Sequence, residues 1–217
     1  MQNRSFETYN PNEDIIDRMR RRKQKSWVNY LLVGANILIF ILVEVTGSSE
    51  DTAHMVRWGA SFTPLVQEGE YYRLFTCMFL HFGFQHLLNN MLLLFFLGDY
   101  VERFIGKVQY LILYLAGGTA ASVFAWRVEI QQGQTAVSAG ASGAIFAVLG
   151  GLVVLLLLNR GRLEDLTIQR VAVMAVLSIW VGFQSAGVDG FAHLGGFLAG
   201  AALMALMSLP RLLRSRQ

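Results

Sequence analysis

The feature that most constrains this chain is a recurrence of apolar runs long enough to cross a bilayer. A spanning helix needs about 20 predominantly apolar residues, with about 17 as the lower limit. Six segments meet that requirement: 28–45, 81–98, 108–126, 140–158, 168–184 and 191–208. The second and fourth are interrupted by polar or glycine residues; the others are plainly apolar. Composition agrees, with 54% of residues hydrophobic, 15% charged and a mean hydropathy of +0.44, against about 25% charged in soluble domains. This balance excludes a disordered chain and a nucleic-acid module and argues against a soluble enzyme. The expected fold is an all-α polytopic membrane bundle of six helices.

Charge placement sets the orientation, because basic residues accumulate on the cytoplasmic side. With the N-terminus inside, the inner segments hold 7 Lys+Arg in 1–27, 2 in 99–107, 3 in 159–170 and 3 in 209–217. The outer segments hold only Arg57, Arg73 and Arg127. Both termini are therefore expected in the cytoplasm. The domain reading is a basic cytosolic segment (1–27), a membrane domain (28–208) and a short basic tail (209–217). In the first, Asn12 precedes Glu13, Asp14, Ile15, Ile16 and Met19, the pattern of a capped, weakly amphipathic helix. It leads into Arg20-Arg21-Arg22-Lys23, a topology signal that also sits on anionic membrane lipids. A basic stretch before an apolar run also suits a cleaved signal. The run is longer than a usual signal core and no small-x-small site follows, so an uncleaved first span is expected. Residues 46–80 form a long loop whose Trp58, Phe62, Leu65, Tyr71 and Tyr72 suit the membrane interface.

Polar side chains inside spans are costly and mark function by default. Here they are His81, Gln85, His86, Asn89 and Asn90 on span two, Ser142 on span four and His193 on span six. Depth relates three of them. Ser142 and His193 each lie 18 residues before an inner arginine, Arg160 and Arg211, and His86 lies 17 before Arg103. At 1.5 Å per residue all three sit about 25–27 Å above the inner basic residues. Spans two, four and six also run in the same direction. Span six carries Gly195, Gly196, Ala199 and Gly200, and span four carries Gly143, Ala147, Gly150 and Gly151. Small residues of this kind let two helices approach closely, as a short serine side chain needs if it is to meet an imidazole.

A serine hydroxyl becomes a nucleophile when a base takes its proton, and histidine is the usual base. Ser142 stands in Gly140-Ala141-Ser142-Gly143, where span four begins and free backbone N–H groups favour a developing oxyanion. His86 and Asn90, four apart on one helix face, are further donors. This constellation points to acyl transfer, that is, hydrolysis of an amide or ester. Asp189, four before His193, reads as the cap of span six. One cysteine, Cys77, excludes a disulfide framework, and His81 with His86 lacks the spacing of a metal-binding helix. No metal or other cofactor is expected. Gln85, Asn89 and His81 are expected to line a polar funnel for water.

These blocks resemble the rhomboid family of intramembrane serine proteases, over about residues 58–204. Glu70-Tyr71-Tyr72-Arg73 resembles the first-loop motif, and His81-x4-His86-x3-Asn90 the second-span motif. Gly98, Glu102-Arg103 and Gly106 resemble the segment that follows. Gly140-Ala141-Ser142-Gly143 is similar to the nucleophile motif, and Ala192-His193-Leu194-Gly195-Gly196 with Gly200 to the last-span motif. The resemblance implies a Ser142–His193 catalytic pair without an essential acid. It implies oxyanion donors from His86, Asn90 and the Ala141 and Ser142 backbone, with Gly140, Gly143, Gly196, Gly200, Arg73 and Glu102 as structural support. It further implies transmembrane protein substrates entering sideways from lipid, with span five and the 185–190 loop as gate and cap. A multi-pass location in the cell membrane follows, with the site facing the extracytoplasmic side. Two departures stand out: Tyr72 where tryptophan is common, and Phe146 where several members carry a tyrosine beside the histidine. A non-catalytic rhomboid-like protein that binds membrane clients is the alternative, although such relatives typically lack the serine or histidine. A small-solute transporter is disfavoured by the absence of inverted halves with matched broken helices.

Overall fold

The computed structural model describes residues 25–163, 166–184 and 189–214. The expected amphipathic segment, most of the 185–190 loop and the last tail residues lie outside the described residues. Six long helices occupy the six apolar segments: α1 (Trp27–Thr46), α2 (Gly83–Ile105), α3 (Lys107–Gln131), α4 (Ser142–Leu158), α5 (Ile168–Gln184) and α6 (Gly190–Arg214). By length and hydropathy, α1, α3 and the Gly190–Leu209 part of α6 suffice to cross a membrane singly. A short helical stretch, Arg73–Phe79, joins α2 at an 88° bend, and the two together are also long and apolar enough to cross; α4 and α5 are shorter apolar helices. The second segment is displaced from its expected limits: α2 starts at Gly83, which leaves His81 outside the helix, and ends at Gly106, where φ is +85°.

The central helix is α4, as its sequence requires. It is apolar on every face, and such a helix belongs inside a bundle. Every residue from Gly143 to Leu152 is buried. Against it, α6 packs so closely that a Cβ on Gly196 would collide with the Gly143 carbonyl oxygen, and one on Gly200 with that of Ala147. Both partner positions advance by four, so α4 and α6 run parallel. On the other side, a Cβ on Gly118 of α3 would lie 2.7 Å from the Ala144 Cβ.

Polar groups fix the opposite end of the bundle. Glu102, 2% exposed, accepts from the backbone N–H groups of Val28 (3.2 Å) and Asn29 (2.7 Å) and so caps the start of α1. A π-helical turn at Leu94–Gly98 interrupts α2. There the Phe95 carbonyl accepts from Asn29 Nδ2 (3.2 Å), while Tyr110 donates to Asn29 Oδ1 (2.7 Å). Gly98 is required at this crossing, because a Cβ there would run into Asn29 and Tyr110.

The 46–80 stretch is folded. Arg73, 6% exposed, donates to the Val56 and Ala60 carbonyls (2.6 and 3.1 Å) and pairs with Glu70 (2.6 Å). The Tyr72 hydroxyl and this guanidinium hold the Glu70 carboxyl below the usual carboxylate range. Two antiparallel strands, β1 (Ser61–Phe62) and β2 (Val137–Ser138), tie the loop to the segment entering α4. Thr63 reinforces the tie by donating to Glu129 (2.5 Å). A second pair, β3 (Arg162–Leu163) and β4 (Leu166–Thr167), links α4 to α5.

Candidate active site

Ser142 is the first residue of α4, and that end of the helix is recessed. Its 17 residues span about 25 Å at 1.5 Å per residue, less than the hydrocarbon thickness of about 30 Å. Its neighbour α3 continues from Gly118, level with Ala144, to Gln131, about 20 Å further. The serine therefore stands at the foot of a well rather than at a surface. A cavity of about 370 Å³ fills that well, lined by Ser142, His86, Gly140, Trp126, Glu129 and Asp189 among others. A larger apolar groove of about 880 Å³ lies between α3 and α6 and includes neither Ser142 nor any histidine.

The parallel contact of α4 with α6 determines what faces the serine. Ser142 precedes Gly143 and His193 precedes Gly196, so both side chains stand on the amino-terminal side of the same helix crossing. Phe146, four after Ser142 and hence on its helix face, stacks on His193 with ring centroids 4.1 Å apart and planes 14° apart. The ring is thus held by its face. Position 146 thus packs an aromatic ring on the imidazole without a phenolic hydroxyl. His193 is 7% exposed, and neither ring nitrogen has a hydrogen-bond partner among the described residues. The expected Ser142–His193 hydrogen bond is therefore not formed among the described residues.

Gly140 shapes the turn into α4. Its φ is +150°, and a Cβ there would lie 2.8 Å from His86 Cε1 and 3.8 Å from Ser142 Oγ. Glycine thus lets the His86 ring approach the serine. Asn90, 4% exposed, donates one Nδ2 hydrogen to the His86 carbonyl (3.1 Å) and keeps a second. One expected donor is taken: the Ala141 N–H bonds His81 Nε2 at 3.3 Å, so it is not vacant for an oxyanion. Two expected funnel residues also stand elsewhere. Gln85 and Asn89 are exposed and bonded to each other (2.9 Å), away from the cavity lining. They lie on the outward face of α2, since His86 and Asn90 turn inward. His81 is 1% exposed and belongs to the framework.

Asp189 caps α6, accepting from the Ala192 N–H at 2.8 Å, and its other oxygen accepts from Ser138 at 3.3 Å. Burial pushes its carboxyl above the usual range, against the opposing pull of the Ala192 N–H. Gly182 of α5 also borders the site. A Cβ there would lie 2.7 Å from His193 Nδ1, so this glycine makes room for the imidazole. A lone glycine in an apolar helix carries no periodic signal that would have singled it out.

The profile of the rhomboid domain matches residues 68–210. The chain is 35% identical over 187 residues to "Rhomboid protease GluP" of Bacillus subtilis, an alignment covering 86% of this chain and 36% of that protein. It is 39% identical over 144 residues to "RHOMBOID-like protein 5" of Arabidopsis thaliana, covering 65% and 46%. It is 34% identical over 162 residues to "Rhomboid-type serine protease 2" of Emericella nidulans, covering 73% and 31%. The chain spans between 31% and 46% of the length of these relatives.

Proposed function

Given that this chain belongs to the rhomboid family, we propose that it is an intramembrane serine endopeptidase that cleaves transmembrane segments of other proteins. In this reading the chain crosses the membrane six times, with both termini in the cytoplasm and the catalytic well toward the extracytoplasmic side. The basic 1–27 segment and the 209–217 tail flank the membrane domain. Substrates enter laterally from lipid.

His193 takes the proton of Ser142 as its oxygen attacks the scissile carbonyl. The tetrahedral oxyanion is met by the Ser142 N–H, the amino-terminal dipole of α4 and the side chains of His86 and Asn90. Collapse breaks the C–N bond, and His193 passes its proton to the leaving amine. Water then adds to the acyl-enzyme with His193 again as base, releasing the carboxylate and restoring Ser142. Neither metal nor cofactor takes part.

The observation supporting this reading is the backbone-close crossing of α4 and α6, with His193 stacked on the residue one turn below Ser142. Ser142→Ala tests it in proteoliposomes with a transmembrane reporter. Cleavage and covalent labelling by a fluorophosphonate are both expected to vanish, with the unfolding midpoint retained. Full cleavage by Ser142→Ala would refute the mechanism. Absence of both cleavage and labelling in the wild-type chain would favour a client-binding protein.

A further inference from the structure

Outside the residues assigned above, the most buried polar group near the nucleophile is His81, 1% exposed. It precedes α2, in the 80–82 connection that turns the chain through 88°. Its imidazole makes a hydrogen bond and a ring-to-ring contact. Nε2 accepts the Ala141 N–H at 3.3 Å, and the ring meets that of His86 edge-on, with centroids 5.3 Å apart and planes 71° apart. Four residues earlier, the Cys77 carbonyl accepts the Gly140 N–H at 3.0 Å. The stretch from Cys77 to His81 thus holds two consecutive N–H groups of the turn that presents Ser142. It also borders the His86 ring across that turn.

We propose that His81 is a positioning residue for the nucleophile: as a neutral acceptor it clamps the Ala141 N–H, fixing the Gly140–Ser142 turn and the adjacent His86 ring. The acceptor role needs an unprotonated Nε2, hence a neutral ring with its hydrogen on Nδ1. Nδ1 is buried and has no partner among the described residues, so the Ala141 N–H is the hydrogen-bond partner this ring has there. Without the clamp the Ala141 N–H is free to turn the peptide ahead of Ser142. A nucleophile displaced by about 1 Å loses on the order of 100-fold in rate. Packing alone would explain a buried ring, but not a requirement for an acceptor at the Nε2 position.

The test uses the difference in reach between two amides. Glutamine can set its Oε1 near the place of Nε2, whereas the asparagine oxygen reaches only to that of Nδ1. His81→Gln, His81→Asn and His81→Leu are compared in the full chain in proteoliposomes. The readouts are kcat and KM on a transmembrane reporter, the rate of fluorophosphonate labelling and the unfolding midpoint. The expected result is a drop in kcat and labelling rate of about 10- to 100-fold for His81→Leu and His81→Asn. KM should stay within about threefold, and His81→Gln should recover most of the rate. Wild-type kcat in His81→Leu overturns the proposal. So does an equal loss in all three variants, or a collapse of the unfolding transition in all three, because His81 is then a packing residue. The proposal rests on Ser142 as nucleophile, and Ser142→Ala run alongside separates the two. A dead Ser142→Ala beside an unaffected His81→Leu removes only the clamp, whereas an active Ser142→Ala removes both.

Discussion

Replacing Gly196 by alanine tests the geometry on which the site depends. A Cβ at this position would overlap the Gly143 carbonyl oxygen. That oxygen belongs to the helix backbone and cannot swing aside as a side chain would. To restore an ordinary contact of about 3.4 Å, α6 must move off α4 by about 1 Å or more, which is the scale of displacement that costs about 100-fold in rate. On the barrier this is about 2.7 kcal/mol, and overpacking adds about 1–3 kcal/mol of lost stability. The displacement acts between Ser142 and His193, because each lies within one turn of the contact. In proteoliposomes, Gly196→Ala should lower kcat on a transmembrane reporter by about 100-fold. Gly34→Ala is the matched control, since nothing lies within 4 Å of a Cβ there; it should keep wild-type activity and gain up to about 1 kcal/mol from helix propensity. A Gly196→Ala protein that unfolds earlier yet keeps full kcat would show that close helix apposition is not needed for the chemistry.

Three other perturbations probe separate parts of the structure. Phe146→Leu removes the ring stacked on His193 and should lower kcat by about 2- to 10-fold, as an aromatic pair is worth about 0.5–1.5 kcal/mol, while Phe146→Tyr should stay near wild type; equal rates for all three would deny the ring a role. Glu102→Ala leaves the Val28 and Asn29 N–H groups without their acceptor and should cost about 1.5–3 kcal/mol, read as a lower unfolding midpoint; an unchanged midpoint would mean that the cap is dispensable. Asp189, raised by burial, binds a proton in the folded state at pH values where the unfolded chain, at about 3.9, has already released it. Stability should therefore fall as pH rises from about 4 through the folded value, and Asp189→Asn should flatten that part of the midpoint–pH curve; an identical slope in both proteins would refute this.

Local pattern determined much of this protein. Apolar runs fix where helices form, because every residue of such a run finds its backbone partner within a turn; all six segments are helical. The offsets from basic residues give Ser142, His86 and His193 one expected depth, and the small-residue faces mark α4 and α6 as helices that approach closely, as they do. Local pattern failed where two distant segments share a group. Hydropathy extends span two through His81, because it does not register the bend before Gly83. His81 meets Ala141 across 60 residues and Glu102 meets Asn29 across 73. Neither partner is visible in the periodicity of its own helix. The same holds for Gly182, which is defined only by the imidazole from another helix that fills its space. Tertiary structure alone decided which N–H groups stay vacant and which face of α2 turns inward. The reason is physical: hydrogen bonding within a helix is settled by neighbours in sequence, whereas the satisfaction of a buried polar side chain is settled by whichever segment the fold brings against it.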